Sequence, residues 1–310
     1  MRAREFRLCT TQNNSDGFVI VVVLWMLAAL GTLASIYVAY VLNTAVVFNA
    51  NEDRVKAEAL VWASLELTAY QLLGVKPPPP VFGAFEFRLG RKSVAVEFQS
   101  ESGRIDLNSA PRELLAGLFV ALGALPQDAE GYADRIVGWR TPSSESQAAE
   151  SFKYRQARLS YGPRAGPFAH VAELGLVLGL PSSLVVRAAP FLTVYNGKAQ
   201  INILAAAPEV IAGLPGMTPD RIQAVLRQRQ EMPYNAPALL ALLGSGQSYA
   251  TVDQGRAVRV LVQISLEDGR RMNSEVVILI ATEDREPYRV LTWRNKFDET
   301  SMYDFAQARP

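Results

Sequence analysis

Between Gly17 and Asn51 the chain carries no charged residue, and the stretch from Phe18 to Phe48 is almost wholly apolar. A bilayer core needs about 20 such residues in a helix, and this run holds about 31. The apolar part of a cleaved secretory signal is only about 7–15 residues long, so the run is too long for one. A feature this long near a terminus leaves one arrangement: a single membrane-crossing helix over residues 18–50, with the remaining mass on one side of the bilayer. Arg2, Arg4 and Arg7 precede the span, diluted by Glu5 and Asp16, while Glu52 and Asp53 follow it beside Arg54. Positive charge stays on the cytoplasmic side. The N-terminus is therefore expected inside and residues beyond about 50 outside.

The helical pattern does not stop at the lipid boundary. Val55, Ala59, Trp62, Leu65, Ala69 and Leu72 recur at spacings of three and four, which marks an apolar stripe. Gly74 and then Pro77 to Pro80 end it, since proline cannot continue a helix. Phe18 to Leu73 would form one helix of about 84 Å at 1.5 Å per residue, half in lipid and half packed on a folded domain.

Two alternating runs follow the prolines, Phe85, Phe87 and Leu89 and then Val94, Val96 and Phe98, with a turn at Gly90-Arg91-Lys92-Ser93. Alternation returns at Val258, Val260, Val262, Ile264 and Leu266, and two more strands are expected over Glu275 to Thr282 and Tyr288 to Trp293. The middle, from about 104 to 250, reads as helices and loops. This order predicts an α+β fold in which an antiparallel sheet packs on the long N-terminal helix and is interrupted by a large inserted all-α domain. The expected divisions are 1–17, a leader; 18–50, the membrane half of the helix; 51–102, the first part of the sheet domain; 103–250, the insert; and 251–310, the second part of the sheet.

The insert contains a repeat. Ile105-Asp106-Leu107 followed by Glu113-Leu114-Leu115-Ala116-Gly117-Leu118 recurs as Ile201-Asn202-Ile203 followed by Glu209-Val210-Ile211-Ala212-Gly213-Leu214, and each copy reaches an Asp-Arg-Ile, at Asp134 and at Asp220. Two copies are too few for a solenoid, and a pseudo-symmetric helical domain is expected. Between them, Thr141 to Gly166 is rich in Ser, Gly and Pro and reads as a loop. Its Lys153, Tyr154, Arg155, Arg158 and Tyr161 read as a solvated basic and aromatic stretch.

Composition excludes several functions. The net charge of +1 offers no global field for nucleic acid or an acidic substrate. Cys9 and His170 are the sole residues of their types, which argues against a zinc site or a Cys/His pair. A Ser-His-Asp arrangement would rest on His170 alone, and no Gly-rich phosphate loop, H-E-x-x-H or G-x-S-x-G is present. Glu97, Glu101 and Asp106 read as solvated or structural carboxylates. No catalytic residue is assigned, and an enzyme is not expected.

Gly17-Phe18 opening a long apolar helix after a short polar leader resembles the type IV prepilin class. The resemblance implies cleavage by a prepilin peptidase between Gly17 and Phe18 and N-methylation of Phe18, with Cys9 lost in the leader. Members usually carry a glutamate at the fifth mature position, but here that position is Val22. A carboxylate in lipid persists only when paired; in these filaments the partner is the N-terminal amine of a neighbouring subunit. A subunit with nothing ahead of it needs no such carboxylate. This departure and the insert resemble the K-type minor pseudopilins of the bacterial type II secretion system. So do Leu24-Trp25-Met26-Leu27, Gly103 to Ala110, Leu214 to Pro219 and Val290 to Arg294.

That resemblance implies a pilin-like fold and a place at the tip of a periplasmic pseudopilus anchored in the inner membrane. It also implies I-type and J-type minor pseudopilins, other pseudopilins and the prepilin peptidase as partners. Calcium binds in the inserted domain of some members; Asp128, Glu130 and Asp134 form an acidic cluster here, but their spacing is not that of an EF-hand loop, and no metal site is assigned. The competing reading is a membrane-anchored DNA-binding protein of the competence-receptor kind, because Ile201 to Arg229 resembles a helix-hairpin-helix module. In that module a Gly-hydrophobic-Gly hairpin aims backbone N–H groups at phosphate. Gly216 is present, yet Thr218 replaces the second glycine. Arg221, Arg227 and Arg229 are balanced by Glu209, Asp220 and Glu231, a poor balance for a phosphate-dominated contact.

Overall fold

The computed structural model describes residues 15–74, 79–142, 144–231, 235–266, 270–281 and 286–297. Arg2, Arg4, Arg7, Cys9, Pro77, Pro78 and Thr282, used in the sequence reading, lie outside the described residues. In chain order the elements are helix α1 (Ser15–Gly74), strands β1 (Phe82–Leu89), β2 (Lys92–Ser100) and β3 (Ile105–Asp106), and helices α2 (Arg112–Ala121), α3 (Pro126–Arg140), α4 (Ser144–Gln156) and α5 (Ser182–Ala188). Then come β4 (Leu192–Thr193), β5 (Ile201–Asn202), α6 (Pro208–Ala212), α7 (Pro219–Glu231), α8 (Ala236–Leu242), β6 (Ala250–Thr251), β7 (Ala257–Ser265), β8 (Arg271–Ile280) and β9 (Tyr288–Phe297). The chain divides into two compact units, Met1–Ala59 and Leu60–Pro310.

In the first unit, Phe18–Val41 is long and apolar enough to cross a membrane: 24 residues of mean hydropathy 2.5, none of them buried. It is the one candidate span among the described residues. Thr32 and Ser35 donate their hydroxyls to the carbonyls of Ala29 and Gly31, so these two groups are satisfied inside the helix, as a bilayer core would require.

The second unit is built around a sheet in the order β1-β2-β7-β8-β9, antiparallel throughout. Alternation decides its buried face: Val94, Val96 and Phe98 pair in register with Ile264, Val262 and Val260, and all six are buried. The hairpin between β1 and β2 closes on two residues, Gly90 and Arg91, with Leu89 opposite Lys92; Gly90 supplies the positive φ of 64° that such a turn demands. The α1 residues of this unit bury Leu60, Val61, Ser64, Leu65, Thr68, Ala69 and Leu72. This face is offset from the expected stripe, for Trp62 is 43% exposed and meets Trp293 edge-on at 5.1 Å. Ser64 and Thr68 take its place because their hydroxyls donate to the carbonyls of Leu60 and Ser64, which removes the cost of burying them.

Strands β2 and β7 are neighbours in the sheet, so everything between Ser100 and Ala257 is an insertion. Its apolar core draws on residues from Ile105 to Ala250 and on none of the five sheet strands. Three of its helices start on prolines, with Pro126, Pro208 and Pro219 at first helical positions, where a missing N–H costs nothing. Two-residue parallel pairings, Ile105 with Leu192 and Ile201 with Ala250, close two consecutive units. Thr141 to Gly166, expected as a loop, contains α4. Its polar composition hides one anchoring residue, Tyr154, which is fully buried, lies 6.0 Å from Trp139 and accepts a hydrogen bond from the Leu178 N–H. Burial pushes the Tyr154 phenol up to about 12. Lys153 pairs with Glu150 at 2.8 Å rather than standing free in solvent.

Candidate functional site

The chain enters the insert through Gly103 to Ala110, and each residue there has a task. Asp106 is buried; its Oδ1 accepts from the N–H groups of Asn108 and Ser109 at 2.7 and 3.1 Å, and its Oδ2 from that of Gly197 at 2.7 Å. Burial raises its pKa, and these N–H donors counter the rise in part. Asn108 clamps Phe168 from both sides, accepting from its N–H at 2.7 Å and donating to its carbonyl at 3.0 Å. Arg140 donates to the carbonyls of Leu107 and, at 2.6 Å, Ala110.

The second unit repeats this scheme. Asn202 Oδ1 accepts from the Leu204 N–H at 2.9 Å, and Arg229 donates to the carbonyls of Ile203 and Ala206 at 3.2 and 2.7 Å. The units meet where Gly117 and Gly213 cross. A Cβ on Gly117 would land on the Gly213 carbonyl, and one on Gly213 would lie 2.8 Å from the Leu118 nitrogen. The Asp-Arg-Ile triplets do not share this equivalence: Asp134 lies deep in α3, whereas Asp220 is in the first turn of α7. Arg140 was not singled out in the sequence and Arg229 entered only in a charge balance; an arginine near the end of the second long helix of each copy was the available signal.

Beneath the insert lies a charged cluster. Glu101 is fully buried; it accepts from Arg259 Nε at 2.6 Å and from the Thr193 hydroxyl, and Arg104 Nε stands 3.7 Å away. Arg259 also pairs with Glu275. Desolvation would raise the Glu101 carboxyl, but Arg259 and Arg104, with hydrogen bonds from Arg259 and Thr193, outweigh it and hold the group below the usual carboxylate range. Burial lowers Arg104 to about 10, partly offset by Glu101. Glu101 and Asp106 are thus structural, while Glu97 is exposed. Two partners of Glu101, Thr193 and Arg259, lie 92 and 158 residues away in sequence, so the local pattern, which offers Arg104 alone, could not mark the cluster.

Gly17, Phe18 and Val22 fall in the first turns of α1, with Phe18 73% and Val22 39% exposed. Of the acidic cluster, Glu130 and Asp134 turn to Arg112. That hydrogen-bonded contact lowers the pKa of Asp134. Among the described residues no group of three or more His, Cys, Asp or Glu side chains could hold a metal ion. His170 is exposed, ahead of a 3-10 turn. In the Leu214 to Pro219 hairpin Gly216 has φ 75°, and Arg221 turns back to donate to its carbonyl at 3.2 Å, so this arginine serves the hairpin itself.

An apolar N-terminal helix, an antiparallel sheet and a helical insertion within that sheet define a pilin-like fold carrying an added domain. Residues 95–197 match the family of type II secretion system protein K. A chain of the GspK–GspI–GspJ complex from the type 2 secretion system of enterotoxigenic Escherichia coli shares the fold at a TM-score of 0.61 and 17% identity, over 80% of this chain and 98% of that one. No curated protein matches the sequence. Family match and fold together bear out the resemblance to the K-type minor pseudopilins.

Proposed function

We propose that this chain is the tip subunit of a type II secretion pseudopilus, where it starts filament assembly for protein export across the outer membrane. The observation that carries the reading is the helical insertion between β2 and β7. Filaments of this kind pack their helices side by side, and an added domain of this size would obstruct any subunit placed above it. Val22 agrees with the same position, because a leading subunit has no preceding amine to neutralise. In this reading a prepilin peptidase removes residues 1–17 and Phe18 becomes the methylated N-terminus. The mature chain crosses the inner membrane once, through residues 18–50, with the N-terminus cytoplasmic and the bulk periplasmic. Residues 51–102 and 251–310 form the pilin-like body and 103–250 the insert.

The relative of known structure was crystallised with GspI and GspJ, and we assign the corresponding I-type and J-type pseudopilins as partners here. Coexpression of the full chain with both, followed by size exclusion with light scattering in detergent, is expected to give a ternary complex. A chain that stays monomeric beside folded partners would overturn the assignment.

A further inference from the structure

The insert and the sheet bury separate apolar sets, and the chain passes between them twice, through Glu101–Gly103 and through residues 252–256. Each crossing holds a glycine in a tight place. A Cβ on Gly103 would strike the backbone of Ala205, and one on Gly255 would lie 3.3 Å from Ser102 Cβ and 3.5 Å from Asn196. Two adjacent crossings define the axis of a hinge between insert and sheet, since a hinge lies at the few residues that join two bodies.

Polar contacts span this hinge. Arg259 lies on β7, on the sheet face opposite the buried Val258 and Val260, whereas Thr193 belongs to β4, which closes the first unit of the insert. The Glu101 carboxylate takes one oxygen to each: Oε1 to Arg259, Oε2 to Thr193. Glu101 and Glu275 together balance Arg104 and Arg259. Without Glu101, Arg104 and Arg259 would face each other with only Glu275, on the sheet side, to neutralise them, and the Thr193 hydroxyl would lose its acceptor. Breaking a buried charge pair from one side leaves a charge uncompensated, and the least costly relief is for the junction to open to water. We propose that Glu101 is a positioning residue, whose carboxylate, shared between Arg259 of the sheet and Thr193 of the insert, locks the insert in one orientation on the sheet.

The lock does not depend on the secretion role, so partner binding and hinge motion are tested separately. Spin labels on Arg88→Cys in β1 and Arg227→Cys in α7, both exposed sites, would report the distance between sheet and insert in the full chain in detergent, with Cys9→Ser removing the native thiol. The wild-type background is expected to give one narrow distance distribution. Glu101→Gln should lose that single maximum and broaden, while circular dichroism keeps the native helix and strand signal. Thr193→Val, which leaves no charge unpaired, should broaden it less, and Glu97→Gln, on the exposed side of β2, should leave it narrow. A narrow distribution in folded Glu101→Gln would overturn the lock. Should that variant not fold, a narrow distribution in Thr193→Val would overturn it equally.

Discussion

Gly117 and Gly213 are placed where the two repeat units cross, and the absence of a side chain at both is what lets the backbones touch. An added methyl group there meets main-chain atoms, which have no rotamer to escape into. Gly117→Ala is expected to destabilise the insert by about 3 kcal/mol, the upper end for overpacking a core, read as a lowered thermal midpoint; an unchanged midpoint would mean that the crossing is slack. Arg140 serves a different need. Its guanidinium satisfies two carbonyls of the entry segment, as Arg229 does in the second unit. Arg140→Met keeps the stem and removes the donors, and should cost about 1–3 kcal/mol because buried carbonyls are left unpaired. Chemical unfolding of the two single variants would show similar losses if the units are equivalent.

At the scale of elements, the charged junction makes stability depend on pH in a directed way. Glu101 is held below its unfolded pKa by Arg259, Arg104 and Thr193 against its own burial. Its contribution is therefore complete above the ordinary carboxylate pKa of about 4 and is lost as pH falls through the depressed folded value. Asp106, raised by burial, works the other way, since its protonation on acidification relieves a charge that the fold disfavours. The unfolding midpoint should thus hold on mild acidification and drop only below the usual carboxylate range. Glu101→Gln, already weaker by about 3 kcal/mol at neutral pH, should lack that late drop; an identical acid profile in both would contradict the account.

The same elements mark what the sequence made legible. Strands β1, β2 and β7 were readable because Phe85 and Phe87 flank Glu86, Val96 and Phe98 flank Glu97, and Val262 and Ile264 flank Gln263, and the insert was readable because that alternation stops for about 150 residues. Helix α4 was not, because Ser144 to Gln156 has no apolar periodicity; it is held by the buried Tyr154 and by Glu150, which pairs with Arg135 of α3. The buried face of α1 was misplaced for a related reason: Ser64 and Thr68 look polar, yet bond to their own helix. Glu101 was read only as a solvated or structural carboxylate, because its contacts to Thr193 and Arg259 are tertiary.

For the molecule as a whole, the fold and the match of residues 95–197 make the chain similar to type II secretion protein K, and its N-terminal helix is long and apolar enough to cross a membrane. The processing junction is the part of that account carried by sequence alone. Gly17 and Phe18 lie within helix α1, so a peptidase acting there would have to unwind its first turn to reach the bond, which glycine, a poor helix former, would ease. The most direct test is the intact mass of the chain coexpressed with a prepilin peptidase. The account predicts loss of residues 1–17 and a methylated Phe18 at the new N-terminus, with Gly17→Ala leaving the chain whole. A wild-type chain that keeps its leader beside an active peptidase would contradict it.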